Sequence, residues 1–104
     1  MNRSILQRFR VLVCLGCAVI ALALRSGADP QEGRSLYTAK CSRCHGDDGA
    51  KGKWGAKDLQ LSRLSDAALA DRIRKGGGIM PAFRKQLTDE QVFAIGAYVR
   101  SLRR

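Results

Sequence analysis

Ala39 to Gly49 reads AKCSRCHGDDG, and this stretch constrains the chain more than any other. Cys41 and Cys44 stand three residues apart, and His45, the single histidine of the chain, follows the second thiol directly. A thioredoxin-like redox pair would place its CxxC after a strand in a βαβ unit, but a helical pattern precedes Cys41. A structural zinc site needs four Cys or His ligands, and the chain beyond Cys17 offers three, all in this one cluster. A catalytic Cys–His pair is a poor fit, because adjacent residues rarely aim at one another. A chance cluster on a solvated helix is the bland alternative. The reading with a mechanism is covalent haem attachment, for which C-x-x-C-H is the signature. Thiols three apart lie on one side of a helical turn. Each can add across one haem vinyl group, which leaves His45 beneath the ring to bind iron.

The start of the chain belongs to a different object. Met1 to Arg10 carries Arg3, Arg8 and Arg10 without an acid, Val11 to Leu24 is an apolar run of fourteen residues, and RSGADP ends it. That order is the pattern of a secretory signal peptide. Ser26 and Ala28 suit the positions before a cleaved bond, so the cut is expected after Ala28, with Ala23 a second site. Fourteen residues are short for a membrane span. Cys14 and Cys17 read as small apolar residues of the discarded segment. A lipid-anchored start at Cys17 is the alternative, but Cys14 stands where such a signal wants leucine.

Cleavage leaves 76 of the 104 residues, from Asp29 to Arg104. A domain of that size buries a marginal core and usually needs a disulfide, a metal or a large cofactor. A Cys41–Cys44 disulfide would close a tiny loop and stabilise little. Three helices are predicted. Gln31–Cys44 is the first, capped by Asp29 with Pro30 at its first position. Ser65 caps a second that Gly76 ends, with Leu69 and Ile73 on one face. Thr88 and Gln91 form a capping box for the third. Its apolar stripe is Val92, Ile95, Val99 and Leu102, with Phe93 and Tyr98 beside it, and Arg100, Arg103 and Arg104 complement its dipole. No alternating run suggests a sheet. The fold class is therefore all-α, three main helices joined by two loops.

The second loop is GGGIMPAFRKQ, from Gly76 to Gln86. Met80 is the one methionine left after Met1 departs. A core methionine is the ordinary reading. Here glycines before it permit close backbone approach to a flat ring, and Pro81 fixes the backbone after it. A thioether ligand favours reduced iron.

With these residues in view, the chain from Asp29 to Arg104 resembles a class I c-type cytochrome of the short monohaem bacterial kind. Cys41, Cys44 and His45 match its haem-attachment motif, and Met80 with Pro81 its distal segment. Gly33 and Tyr37 match the glycine and aromatic of its first helix, Ile95 and Tyr98 the pair of its last. The resemblance implies a cytochrome c-like helical fold wrapped round one haem c, with His45 and Met80 as its iron ligands. A glycine inside each of the first and last helices costs about 1 kcal/mol against alanine, so the two helices are expected to cross with Gly33 against Gly96 or its neighbours and Tyr37 near Ile95. Many members carry a proline about a dozen residues after the histidine, whose carbonyl accepts from the imidazole. No proline stands between His45 and Pro81, so a carbonyl near Ala56 or Lys57 is expected to serve. Trp54 is either a haem-edge residue donating to a propionate or a loop anchor, and Leu59 a haem-wall residue. Ser42 and Arg43 look unconstrained.

The expected function is periplasmic transfer of single electrons, without catalysis. A haem subunit fixed within one dehydrogenase complex and a haem enzyme or sensor that displaces Met80 are the alternatives. Fifteen of the nineteen Lys and Arg lie beyond Ala28 with all nine acids, so the mature chain is +6, or +4 with two ionised propionates. Nucleic acid does not suit an exported protein. The expected partners are redox proteins with acidic patches, met by Lys51, Lys53, Lys57, Arg74, Lys75, Arg84 and Lys85. A monomer without stable membrane insertion is expected.

Overall fold

The computed structural model describes residues 29–104. The signal segment, its cleavage point and Cys14 and Cys17 lie outside the described residues. Helix α1 spans Pro30–Lys40, the short helix α2 Ser42–His45, α3 Asp66–Lys75 and α4 Asp89–Ser101. Two 3₁₀ turns, Lys53–Gly55 and Leu59–Leu61, lie between α2 and α3. Among the described residues there is no strand, only an isolated Gly77–Met80 bridge.

Local chemistry starts each long helix as expected. The Asp29 carboxylate accepts from the Gln31 N–H, with Pro30 inside the first turn. The Ser65 hydroxyl accepts from the Ala68 N–H at 3.2 Å. At α4 the box is complete: Gln91 N–H donates to the Thr88 hydroxyl at 3.2 Å, and Thr88 N–H to the Gln91 side chain at 3.0 Å. Such caps satisfy N–H groups that the helix itself leaves open.

The core lies where α1 and α3 meet α4. Tyr37, Leu69, Ala70, Ile73, Phe83, Leu87, Val92, Ile95 and Val99 are buried. Tyr37 is 0% exposed and packs with Ile95 in this cluster, its ring 5.0 Å from that of Tyr98. Gly33 explains how α1 reaches α4. A Cβ there would fall on the Ala94 carbonyl oxygen, and 2.7 Å from the Ala94 carbonyl carbon. Gly96 does not share that crossing. A Cβ on Gly96 would meet Leu69 Cβ at 4.0 Å, so this glycine faces α3.

The first helix departs from expectation by breaking at Cys41. That residue has φ −116° and ψ −34°, and its N–H still bonds the Tyr37 carbonyl at 2.8 Å. The chain re-enters a helix at Ser42. The C-terminal arginines are also placed by tertiary contacts more than by the dipole. Arg100 pairs with Asp66 of α3 at 3.1 Å. Arg103 donates to the Leu64 carbonyl at 2.7 Å, and Arg104 N–H to the Gln60 carbonyl at 3.1 Å.

Candidate haem site

The break at Cys41 builds the first half of the site. Cys44 and His45 N–H groups both return to the Cys41 carbonyl, at 3.2 and 3.0 Å. Cys41, Cys44 and His45 therefore share one turn. Ser42, expected to be unconstrained, donates its hydroxyl to the Thr38 carbonyl at 2.6 Å and so ties α2 to α1. Gly46 ends the turn at φ 84°, where a Cβ would approach Lys51 Cβ to 2.7 Å. The buried Tyr37 hydroxyl donates to the Gly46 carbonyl at 2.6 Å and anchors the turn to the core. Burial raises the Tyr37 phenol far above its ordinary range, which keeps it a donor.

Both thiols are free and half-buried. Burial pushes the Cys41 thiol up to about 11, with Lys40 opposing and Cys44 adding to the rise.

His45 Nδ1 lies 3.0 Å from the Lys57 carbonyl. A carbonyl only accepts, so Nδ1 carries the proton and Nε2 keeps its lone pair for a metal. Lys57 thus supplies the carbonyl that no proline provides. The loop reaches it through Lys51 N–H to the His45 carbonyl at 2.8 Å and Leu59 N–H to the Gly49 carbonyl at 2.9 Å. Leu59 itself is partly buried against the core.

Trp54 stands on the Lys53–Gly55 turn. It is 54% exposed, with Lys53 Nζ 4.2 Å and Arg43 Cζ 5.8 Å from its ring centroid. Arg43 is therefore engaged, contrary to expectation. Trp54 also holds φ 53°, a left-handed conformation that costs a non-glycine residue roughly 1–3 kcal/mol.

Met80 sits apart, on the loop between α3 and α4. Gly77 and Met80 exchange backbone hydrogen bonds of 3.0 Å in both directions. Gly78 at φ 57° turns the chain between them. Phe83 and Arg84 N–H groups then bond the Ile73 and Arg74 carbonyls at 3.1 and 3.3 Å. A Cβ on Gly76 would strike the Met80 carbonyl oxygen and lie 2.7 Å from the Pro81 carbonyl carbon. This glycine makes room for the loop's own backbone, so only part of the glycine run is free to serve a ligand. Met80 is half-buried.

These donors suit a haem. Among the described residues no three His, Cys, Asp or Glu side chains gather to hold a bare ion. His45 offers one free ring nitrogen, which fits iron that brings four equatorial ligands of its own. Two unpaired thiols on the same turn fit covalent attachment.

The basic residues divide. Arg74 pairs with Asp89 at 3.0 Å and with Asp71 at 3.7 Å, and Lys75 with Asp71 at 3.7 Å. Both were expected to steer partners, but their charge is compensated locally. Lys51, Lys53, Lys57, Arg84 and Lys85 form no ion pair among the described residues and are exposed.

A helical domain with this attachment turn is a c-type cytochrome. The sequence model of the family described as "Cytochrome C oxidase, cbb3-type, subunit III" matches residues 28–99, and the chain belongs to this cytochrome c family. It is similar to cytochrome c6 of Leptolyngbya boryana, 32% identical over 78 residues that span 69% of this chain and 91% of the relative. Cytochrome c6 of Nostoc sp. is 31% identical, with 85% of this chain and 86% of the relative covered. The cbb3-type cytochrome c oxidase subunit FixP of Azorhizobium caulinodans is 30% identical, with 74% of this chain but 30% of that protein covered. The chain is a small monohaem class I c-type cytochrome that carries electrons, and its cofactor is one covalently bound haem c.

Proposed function

We propose that this chain is an exported shuttle, with its haem held by Cys41, Cys44, His45 and Met80. The observation that carries the reading is the His45 Nδ1–Lys57 carbonyl contact of 3.0 Å. It fixes the tautomer and ring orientation that an axial ligand needs. When bound, the haem supplies a one-electron couple at iron. Cys41 and Cys44 would retain it, His45 and Met80 would supply a nitrogen and a soft sulfur to its iron, and the buried Tyr37–Gly46 hydrogen bond ties the attachment turn to the core. Catalysis of substrate chemistry is not part of this reading, in which His45 and Met80 would both be committed to the iron.

Residues 1–28 are removed on export to the periplasm, and the mature chain begins at Asp29. Intact mass of the purified protein is expected to equal residues 29–104 plus one haem. Free thiols at Cys41 and Cys44 in the haem-loaded protein would overturn the attachment.

The uncompensated cations, Lys51, Lys53, Lys57, Arg84 and Lys85, favour docking to an acidic face of a redox partner. Steering of this kind raises association rates by about 10 to 10³-fold and weakens with salt. Stopped-flow electron transfer should therefore slow as ionic strength rises, and Lys53→Glu or Lys85→Glu should flatten the dependence. The family description and the FixP relative favour a second reading, a haem subunit fixed to an oxidase. That subunit would show first-order transfer independent of its own concentration, whereas the shuttle shows second-order kinetics.

A further inference from the structure

Trp54 is a bulky residue in a conformation that suits it badly. Its φ of 53° and ψ of 36° lie in the left-handed region that Cβ-bearing residues avoid. Gly52 at φ 64° and Gly55 at φ 77° flank it. Of the three left-handed positions between Gly52 and Gly55, Trp54 alone is not a glycine. Burial does not hold the indole there, since it is largely exposed. Two cations do, Lys53 at 4.2 Å and Arg43 at 5.8 Å from the ring centroid.

Arg43 lies between the two thiols of the attachment turn. Its guanidinium therefore links the Trp54 turn to the helix that carries His45. The Ala56 N–H closes the turn on the Lys53 carbonyl at 3.1 Å. The next residue, Lys57, presents its carbonyl to His45 Nδ1 at 3.0 Å. No proline stiffens this stretch. The Lys51–His45 and Leu59–Gly49 backbone bonds tie the ends of the segment, and the turn between them sets the direction of that carbonyl.

We infer that Trp54 is a positioning residue for His45: clamped by Arg43 and Lys53, it holds the Lys53–Gly55 turn so that the Lys57 carbonyl meets Nδ1. The inference rests on the reading that His45 binds the haem iron. A hydrogen bond from Nδ1 strengthens donation from Nε2 and sets the plane of the ring. Stronger donation favours the oxidised iron, so loss of the bond raises the reduction potential. Exchange of the Nδ1 proton with water speeds up at the same time.

The test uses the haem-loaded protein, with NMR exchange of the His45 ring N–H in the reduced state and potentiometry. Trp54→Ala, Trp54→Gly and Arg43→Ala should each speed ring N–H exchange by up to about tenfold, as the loss of one hydrogen bond allows, and raise the potential. The Trp54→Ala/Arg43→Ala double variant should go no further than either single one, and Trp54→Phe should retain most of the wild-type behaviour. Trp54→Gly separates the clamp from the backbone, because glycine removes the strain and the ring together. Wild-type exchange and potential in both Trp54→Gly and Arg43→Ala would overturn the inference. So would a wild-type Trp54→Gly beside a perturbed Trp54→Ala, which would assign the effect to backbone strain alone. Should Trp54→Ala fail to mature, Arg43→Ala carries the test from the other side of the contact. A wild-type protein without an iron-ligated histidine resonance would overturn the ligand assignment itself, and is seen before any variant is made.

Discussion

Gly33→Leu is expected to abolish cooperative unfolding of the haem-loaded protein, and Gly33→Ala to destabilise it by about 2–3 kcal/mol. The new Cβ would land on the Ala94 carbonyl, which is backbone and has no rotamer to change. Relief requires α1 to move off α4. That movement would pull Tyr37 away from Val92, Ile95 and Tyr98, and stretch its bond to the Gly46 carbonyl. Glycine inside a helix is itself unfavourable by about 1 kcal/mol against alanine, so propensity alone predicts the opposite sign. Gly96→Ala is the control. Its Cβ would meet Leu69 Cβ at 4.0 Å, an ordinary contact, so this change should be neutral or stabilise by up to about 1 kcal/mol. Thermal unfolding followed by circular dichroism distinguishes the two sites. A neutral Gly33→Ala would show that α1 and α4 can separate freely at this end.

Met80→Ala is expected to leave the fold nearly intact and to change the redox chemistry. The bonds that shape the loop join Gly77 and Met80 through their backbones and survive the substitution. Gly76 still accommodates the carbonyls of residues 80 and 81. What is lost is a soft thioether that favours reduced iron. The potential should fall on the order of 0.1 V or more, a fraction of the ~0.8 V range over which axial ligands act. The sulfur-to-iron absorption band should vanish with it. A variant that kept both band and potential would remove Met80 from the ligand set.

Features written in a few neighbouring residues were legible in the sequence. Asp29 with Pro30, Ser65, and Thr88 with Gln91 announce helix starts because capping is a contact over two or three residues. The buried faces of α3 and α4 follow their helical spacing. That Cys41, Cys44 and His45 share one turn was legible, because residues three and four apart come together on a helical turn. The break at Cys41 was not readable, since AKCSR contains no proline or glycine to mark it. The Lys57 acceptor was narrowed to two residues and no further, because a backbone carbonyl has no residue type. Nothing local marks Trp54 as left-handed or Arg43 as its neighbour. The separate duties of Gly33 and Gly96, the first against Ala94 and the second facing Leu69, depend on helix crossings that sequence spacing does not specify. The pairing of Arg74 with Asp89 and of Arg100 with Asp66 likewise joins residues far apart in the chain, and it withdraws charge that composition alone had counted as free.

The central claim is one covalent haem held between His45 and Met80, and the absorption spectrum of the purified protein in both redox states addresses it most directly. The ligand pair predicts low-spin spectra in both states, with the weak sulfur-to-iron band in the oxidised form. A high-spin spectrum, or a low-spin oxidised form without that band, would contradict it.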